Sequence, residues 1–429
     1  MWAAFSFLTP LICIACVVFA FRKMDSQGLR ALRPLLVPAL LVFTVSVMVL
    51  SSGFLYGNLH TPLDTPRVRF SHRLPGDDEL PWLFASQLRR GQVLKPMIQD
   101  WLSSDRPPLQ TGMTLLQFPF LSSPRPLSYQ VSGVVLQSFW IAALWLFLSA
   151  RNLTGSARLA TLCAVAFTGF AYVNSFFIWP KLLAAAYLIS AWFMACSERV
   201  VSLMRGTPRF GFLFGTLLAL GLLAHGSAIF SLAAVAPLML FARKRIGFRA
   251  SGAALLAILF FYLPWTLYQK LFDPPGSRLL KWHLAGVIDL DPRSFGQAFR
   301  DAYGSMTWRQ ILAIRESNAT FILDDQQVFW PKLREFLTAL PHDVSTKSLS
   351  ADRFAHEIRG SQFFHYATAL GLLMPGALFL LAGILPRYRS PTWRTAALCF
   401  LLAVLTVVIW CGVMFLPASA VVHQEVMPA

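Results

Sequence analysis

The chain has 429 residues, 56% of them hydrophobic and 13% charged, with a mean hydropathy of +0.57 and a formal net charge of +17. Soluble domains carry about 25% charged residues, which excludes an ordinary cytosolic enzyme, and disorder requires low hydrophobicity. Apolar sequence on this scale points to membrane spans, and the positive charge admits nucleic acid as a partner only if the cations cluster.

A membrane-crossing helix needs about 20 mostly apolar residues. Residues 1–21, 34–56, 130–150, 250–268, 366–385 and 395–416 qualify. The first of these has no basic n-region, and Arg22 and Lys23 follow its apolar run, so a span is predicted rather than a secretory signal. Stretches 159–197 and 210–242 are apolar apart from Lys181 and His225. At about 1.5 Å per residue each is too long for one crossing of about 30 Å, so each predicts two short helices joined by an outer turn. The spans then number about ten.

The loops on the inner side of that arrangement are 22–33, 151–158, 198–209, 243–249 and 386–394. They hold sixteen basic residues against only Asp25 and Glu198, which is +14 of the +17. This asymmetry predicts a cell (inner) membrane protein with both termini on the periplasmic or exterior side. The outer segments 57–128 and 269–361 are nearly neutral, so no dense basic patch is offered to nucleic acid. The expected fold is all-α: a polytopic transmembrane helix bundle with juxtamembrane amphipathic helices and a small, mainly helical outer-face subdomain. Residues 1–268 form its N-terminal module, 269–361 the outer segment and 362–429 the C-terminal helices. Cys13, Cys16, Cys163, Cys196, Cys399 and Cys411 all fall in predicted spans, so no outer disulfide is expected, and Cys13-x-x-Cys16 reads as packing.

Seventeen of the twenty acids lie in the two outer segments, and the span interiors hold none. Ion-coupled carriers bury ionisable groups at mid-membrane, so chemistry here belongs at the outer face. Gly76-Asp77-Asp78-Glu79-Leu80-Pro81 opens a helix predicted over 79–90, with Leu80, Leu83, Phe84 and Leu88 on one stripe and Gly91 as terminator. Such a helix suits the membrane surface. The three carboxylates at its start can deprotonate a hydroxyl or hold a cation; alternatively Asp77 or Asp78 caps the helix. Asp105 is expected to cap a second short helix beginning at Pro107-Pro108, and Asp105–Arg106 also reads as a local ion pair.

Lys181, at one predicted outer turn, can snorkel or meet a phosphate, and His225, at the other, is a turn residue or a polar contact for a lipid-linked substrate. After Asp273-Pro274-Pro275-Gly276, a turn, Arg278, Lys281 and His283 cluster within six positions. They suit a phosphate or pyrophosphate, or anionic lipid headgroups. Asn318-Ala319-Thr320 matches a glycosylation sequon. No H-E-x-x-H, Walker A loop, G-x-G-x-x-G or G-x-S-x-G is present, so neither a zinc nor a nucleotide site is indicated.

In order, these motifs resemble the GT-C superfamily of integral-membrane glycosyltransferases, over roughly residues 77–268. Asp78-Glu79 resembles the Asp-Glu of the protein O-mannosyltransferases. Asp105-Arg106-Pro107-Pro108-Leu109 is similar to their Asp-x-His-Pro-Pro-Leu, with Arg106 where His is usual. His225-Gly226-Ser227 resembles the Lys-Gly-Pro turn of the lipid A aminoarabinose transferases. Lys181 departs from the pattern, since many relatives carry an acid there, which favours direct phosphate recognition over a metal site. A divalent cation is left open as a cofactor. The resemblance implies an enzyme that takes a sugar from a polyprenyl-phosphate donor and transfers it to an envelope glycan, lipid or protein. Asp77 or Asp78, with Glu79 beside them, would supply the base. Lys181, Arg278, Lys281 and His225 are the candidates for the departing phosphate; Asp105, Arg106 and His283 complete the candidate binding set. The alternatives are an O-antigen ligase or polymerase type relying on Arg278 and His283, and a lipid or glycan flippase.

Overall fold

The computed structural model describes residues 2–55, 58–68, 74–120, 125–166, 169–235, 247–324, 338 and 391–415. Among them every regular element is helical, and one isolated antiparallel bridge joins Met97 to Trp101. The all-α expectation is met. Ten spans are not shown: among the described residues three helices are long and apolar enough to cross a membrane, Arg33–Phe54, Pro126–Ala150 and Phe248–Leu271. Lys181–Cys196, Pro208–Ala224 and Phe400–Val413 are apolar but shorter. The expected span at 366–385 lies outside the described residues.

Helix α1 spans Trp2–Lys23 and α2 spans Leu36–Phe54. Segment 57–128 contains α3 (Leu80–Arg89) and α4 (Leu109–Gln117). The bundle continues with α5 (Pro126–Gln137), α6 (Trp140–Ala150), α7 (Gly155–Ala166) and α8 (Gly169–Phe176). Then come α9 (Lys181–Cys196), α10 (Glu198–Gly206), α11 (Pro208–Ala224) and α12 (Phe248–Leu271). Segment 269–361 holds α13 (Arg278–Ala285), α14 (Phe295–Gly304) and α15 (Trp308–Asp324) among its described residues. The last helix is α16 (Pro391–Val413).

Helices α6, α9, α11 and α12 stand side by side as a row of packed neighbours. Lipid tails are as apolar as leucine, so close backbone approach rather than water exclusion holds such helices together. The α11–α12 contact shows how. A Cβ on Gly211 would sit 2.2 Å from the Ala250 carbonyl oxygen, and one on Gly215 would sit 2.1 Å from that of Ala254. Apolar stretch 159–197 does divide as expected: α7 and α8, a break at 177–180, then α9. Phe176, Phe177, Ile178 and Trp179 at the break are buried with Val49, Leu63, Leu74 and Tyr129.

The break exposes backbone groups that helices would otherwise satisfy, and three glutamines supply partners. Gln130 Nε2 donates to the Phe176 carbonyl at 2.7 Å and Gln110 Nε2 to that of Ile178 at 2.9 Å. Gln137 Oε1 accepts from the Leu183 N–H at 3.0 Å. All three side chains are buried.

The surface-helix expectation for 79–90 is corrected in part. Helix α3 forms and ends at Gly91, whose φ of +68° is the left-handed position glycine favours. Its stripe, however, faces protein. Leu80 and Phe84 are buried, and Ala85 packs with Leu115 and Phe118. Neither Asp77 nor Asp78 caps it; these acids lie in a 3-10 turn, Gly76–Glu79, without side-chain capping bonds. Asp105 does not cap α4 either. Its Oδ2 turns back to accept the Leu102 N–H at 2.8 Å.

The loop before α4 is bound to the chain at the end of α12. Asp273 Oδ2 accepts from Ser103 Oγ at 2.6 Å and from the Ser104 N–H at 2.8 Å. Gln269 Nε2 donates to the Ser104 carbonyl at 2.9 Å. The sequon asparagine is interior: Asn318 is fully buried and its Nδ2 donates to the carbonyls of Cys411 and Met414 at 3.0 and 2.8 Å. It caps the end of α16 and is no glycan acceptor in this fold.

Candidate functional site

Asp77, Arg106, Lys181 and His225 come together where the 3-10 turn before α3, the loop before α4, the N-terminus of α9 and the C-terminus of α11 meet. Arg106 NH2 is ion-paired with Asp77 Oδ2. Burial pushes the Asp77 carboxyl above the usual range, while the Arg106 guanidinium and then the Lys181 ammonium pull it back. Asp77 Oδ1 is buried and has no hydrogen-bond partner. One carboxylate oxygen is therefore held by a cation and the other is unoccupied.

Trp179 organises the cations. The Arg106 guanidinium lies 4.8 Å from its ring centre, Lys181 Nζ 4.6 Å, and the His225 ring packs edge-on at 5.9 Å. Such contacts are worth about 0.5–2 kcal/mol each, more where water is excluded. Lys181 is the first residue of α9 and is completely buried. A cation at a helix N-terminus adds to the positive end of the macrodipole, so the local potential favours an anion. His225 Nδ1 accepts the Ser227 N–H at 3.2 Å and lies 2.7 Å from Ser227 Oγ. In the neutral ring this places the proton on Nε2.

A second ring extends the array. Trp101 has Arg106 and Arg278 each 4.5 Å from its centre, with the Trp282 ring at 6.2 Å. Trp101 closes a tight turn in which Ile98 and Gln99 take φ of +47° and +73°. Left-handed backbone at a β-branched residue is strained, and the structure maintains it where Asp100 and Trp101 are presented.

Arg278 is fully engaged. Its NH2 contacts both Asp100 oxygens at 3.0 Å, and NH1 reaches the Asp100 carbonyl at 3.1 Å and Asp105 Oδ2 at 3.3 Å. Nε donates to the Ile288 carbonyl at 2.9 Å. It ties the segments together and has little left for a phosphate. The expected Asp105–Arg106 pair is thus replaced by Asp105–Arg278 and Asp77–Arg106. Burial raises the Asp105 carboxyl despite the Leu102 N–H and Arg278.

Four sequence candidates lie outside the cluster. Asp78 is completely buried and accepts Arg67 Nε and NH2 at 2.8 and 2.7 Å. Glu79 pairs with the same guanidinium at 2.5 Å. Lys281 is buried, with Nζ donating to the Asp291 carbonyl at 2.5 Å, and desolvation lowers its pKa. His283 stacks on Trp282 at 5.1 Å at the edge of the array. Among the described residues, no three His, Cys, Asp or Glu side chains gather as metal ligands would. Arg67, Trp101, Trp179 and the three glutamines were not singled out from sequence. Gln130 and Gln137 had a signal: polar residues seven apart fall on one face of an apolar helix.

No protein-family model matches the chain, and no curated protein or solved structure is significantly similar to it.

Proposed function

We propose that the protein is a membrane glycosyltransferase of GT-C type that uses a polyprenyl-phosphate-linked sugar at the outer membrane face. The observation that carries this reading is Asp77: one buried carboxylate with an unpartnered oxygen, held by Arg106 and drawn by Lys181 beside Trp179. A transfer of this kind needs a base for the acceptor hydroxyl and positive charge for the phosphate that leaves.

In this reading the acceptor hydroxyl oxygen bonds to the anomeric carbon, and its proton passes to Asp77 Oδ1. The bond from that carbon to the phosphate oxygen breaks, and its electron pair leaves with the phosphate. Lys181, Arg106, the N-terminus of α9 and the Nε2 proton of His225 offset the charge that develops there. Asp78 and Glu79 serve structure through Arg67. The acceptor is an envelope glycan, lipid or protein, and the charge of the basic loops supports a site on the periplasmic or exterior side.

The test is transfer of radiolabelled sugar from membrane-borne polyprenyl-phosphate sugars in vesicles carrying the full-length protein. Asp77→Asn should abolish transfer with the folded protein retained. Wild-type transfer by Asp77→Asn would refute this role.

A further inference from the structure

We propose that helices α13–α15 form a platform seated in the interfacial layer of the membrane, with lipid covering the face that carries Leu280, Trp308 and Leu312. This proposal stands apart from the transfer chemistry. It starts from a discrepancy of burial: Arg278 and Lys281, the cations best placed in sequence to hold headgroups, are turned inward. Large apolar side chains of the same segment are instead exposed: Leu280 47%, Ile288 54%, Phe299 40%, Trp308 69% and Leu312 48%. Exposed large apolar side chains at this density within one segment mark an interaction surface.

Two features identify lipid as the occupant. The first is level. Phe415, just beyond the last turn of α16, donates its N–H to the His283 carbonyl at 2.8 Å, and its ring meets Tyr303 at 5.4 Å. Asn318 holds the Cys411 and Met414 carbonyls. All three platform helices are therefore pinned to the end of one apolar helix, where a membrane border must lie. The second is continuity. Helix α12 exposes Leu255, Leu259, Leu263, Leu267 and Leu271, one leucine every four residues, along its whole length. That row runs into Phe272, 76% exposed, and the chain then enters the platform. A lipid-facing surface that turns along the membrane plane meets the interface, where tryptophan is favoured.

Helical geometry supplies the control. At about 100° per residue, Ser317 lies on the side of α15 opposite Trp308, and it is exposed. The experiment uses the full chain with its six native cysteines replaced, in phosphatidylcholine nanodiscs. Single cysteines at Trp308→Cys, Leu312→Cys and Ser317→Cys carry a fluorescent label. Labels at 308 and 312 should be quenched by shallow spin-labelled lipid and shielded several-fold from aqueous iodide. The label at 317 should show the reverse. Iodide access at 308 and 312 equal to that at 317 would overturn the proposal. Cross-linking between copies through Trp308→Cys, with shielding that persists without lipid, would overturn it too, because a second copy would then be the occupant.

Discussion

At the residue scale, two adjacent aspartates have different surroundings. Each keeps one buried oxygen without a partner, but Asp77 lies among Arg106 and Lys181, whereas Asp78 Oδ1 takes two hydrogen bonds from Arg67. Asp78→Ala deletes two hydrogen bonds from Arg67 at a completely buried side chain and leaves that guanidinium to Glu79 and Asp64; hydrogen bonds to charged groups are worth about 1.5–3 kcal/mol each. Asp78→Ala should therefore lower the melting temperature sharply in detergent. Asp77→Asn should melt close to the parent, since it is isosteric and Arg106 keeps its two indole rings, while transfer is lost. Equal melting of the two variants would contradict this division. The pH dependence follows from the same geometry. A base works ionised, so the rate rises with pH as Asp77 loses its proton. Burial moves that rise above the ordinary aspartate range. Arg106 favours the carboxylate, so Arg106→Leu should move the rise further upward; a rise at lower pH would exclude Asp77 as the titrating base. Carboxylates at 77–79 could be recognised in sequence as candidates. Which of them joins the Lys181 and His225 cluster could not, because that rests on Arg67 and Arg106, ten or more positions away on either side.

At the element scale, the short helices and their breaks were legible from apolar length, since 159–197 exceeds one crossing. The partners of the break were not, because Gln110, Gln130 and Gln137 act across space on backbone groups. The amphipathic stripe of α3 was legible as a stripe, but periodicity carries no information on whether lipid or α4 covers it. Packing of α11 on α12 depends on Gly211 and Gly215 lying against backbone. A side chain there forces the helices apart, and overpacking typically costs about 1–3 kcal/mol. Gly211→Leu should thus lower thermal stability in detergent by that order. Gly252→Leu is the control, because nothing lies within 4 Å of a Cβ placed there. Equal losses in the two variants would refute the close-approach argument.

At the scale of the whole molecule, the charge asymmetry makes a directional prediction. Single cysteines at Ser156→Cys, in loop 151–158, and Ser305→Cys, after α14, should label from opposite sides of intact cells. An impermeant maleimide added outside should reach 305 and not 156. The opposite pattern would invert the orientation and move the proposed site to the cytoplasm. Composition was sufficient for the membrane class, because 13% charge cannot clothe a soluble surface of this size. It was insufficient for the number of crossings, which depends on where each apolar run bends.

The bond between Ser104 and Asp273 joins positions 169 apart, and Arg278 reaches Asp100 across 178. That separation has a consequence for biosynthesis. A nascent chain carries Asp77, Arg106, Lys181 and His225 long before it carries the groups that clamp the 97–105 loop. Helices α5 to α12 must be synthesised before Trp101 acquires Arg278. The cluster is thus completed late, after the translating ribosome has passed residue 278, so a half-made chain has the clustered side chains without the frame that aligns them.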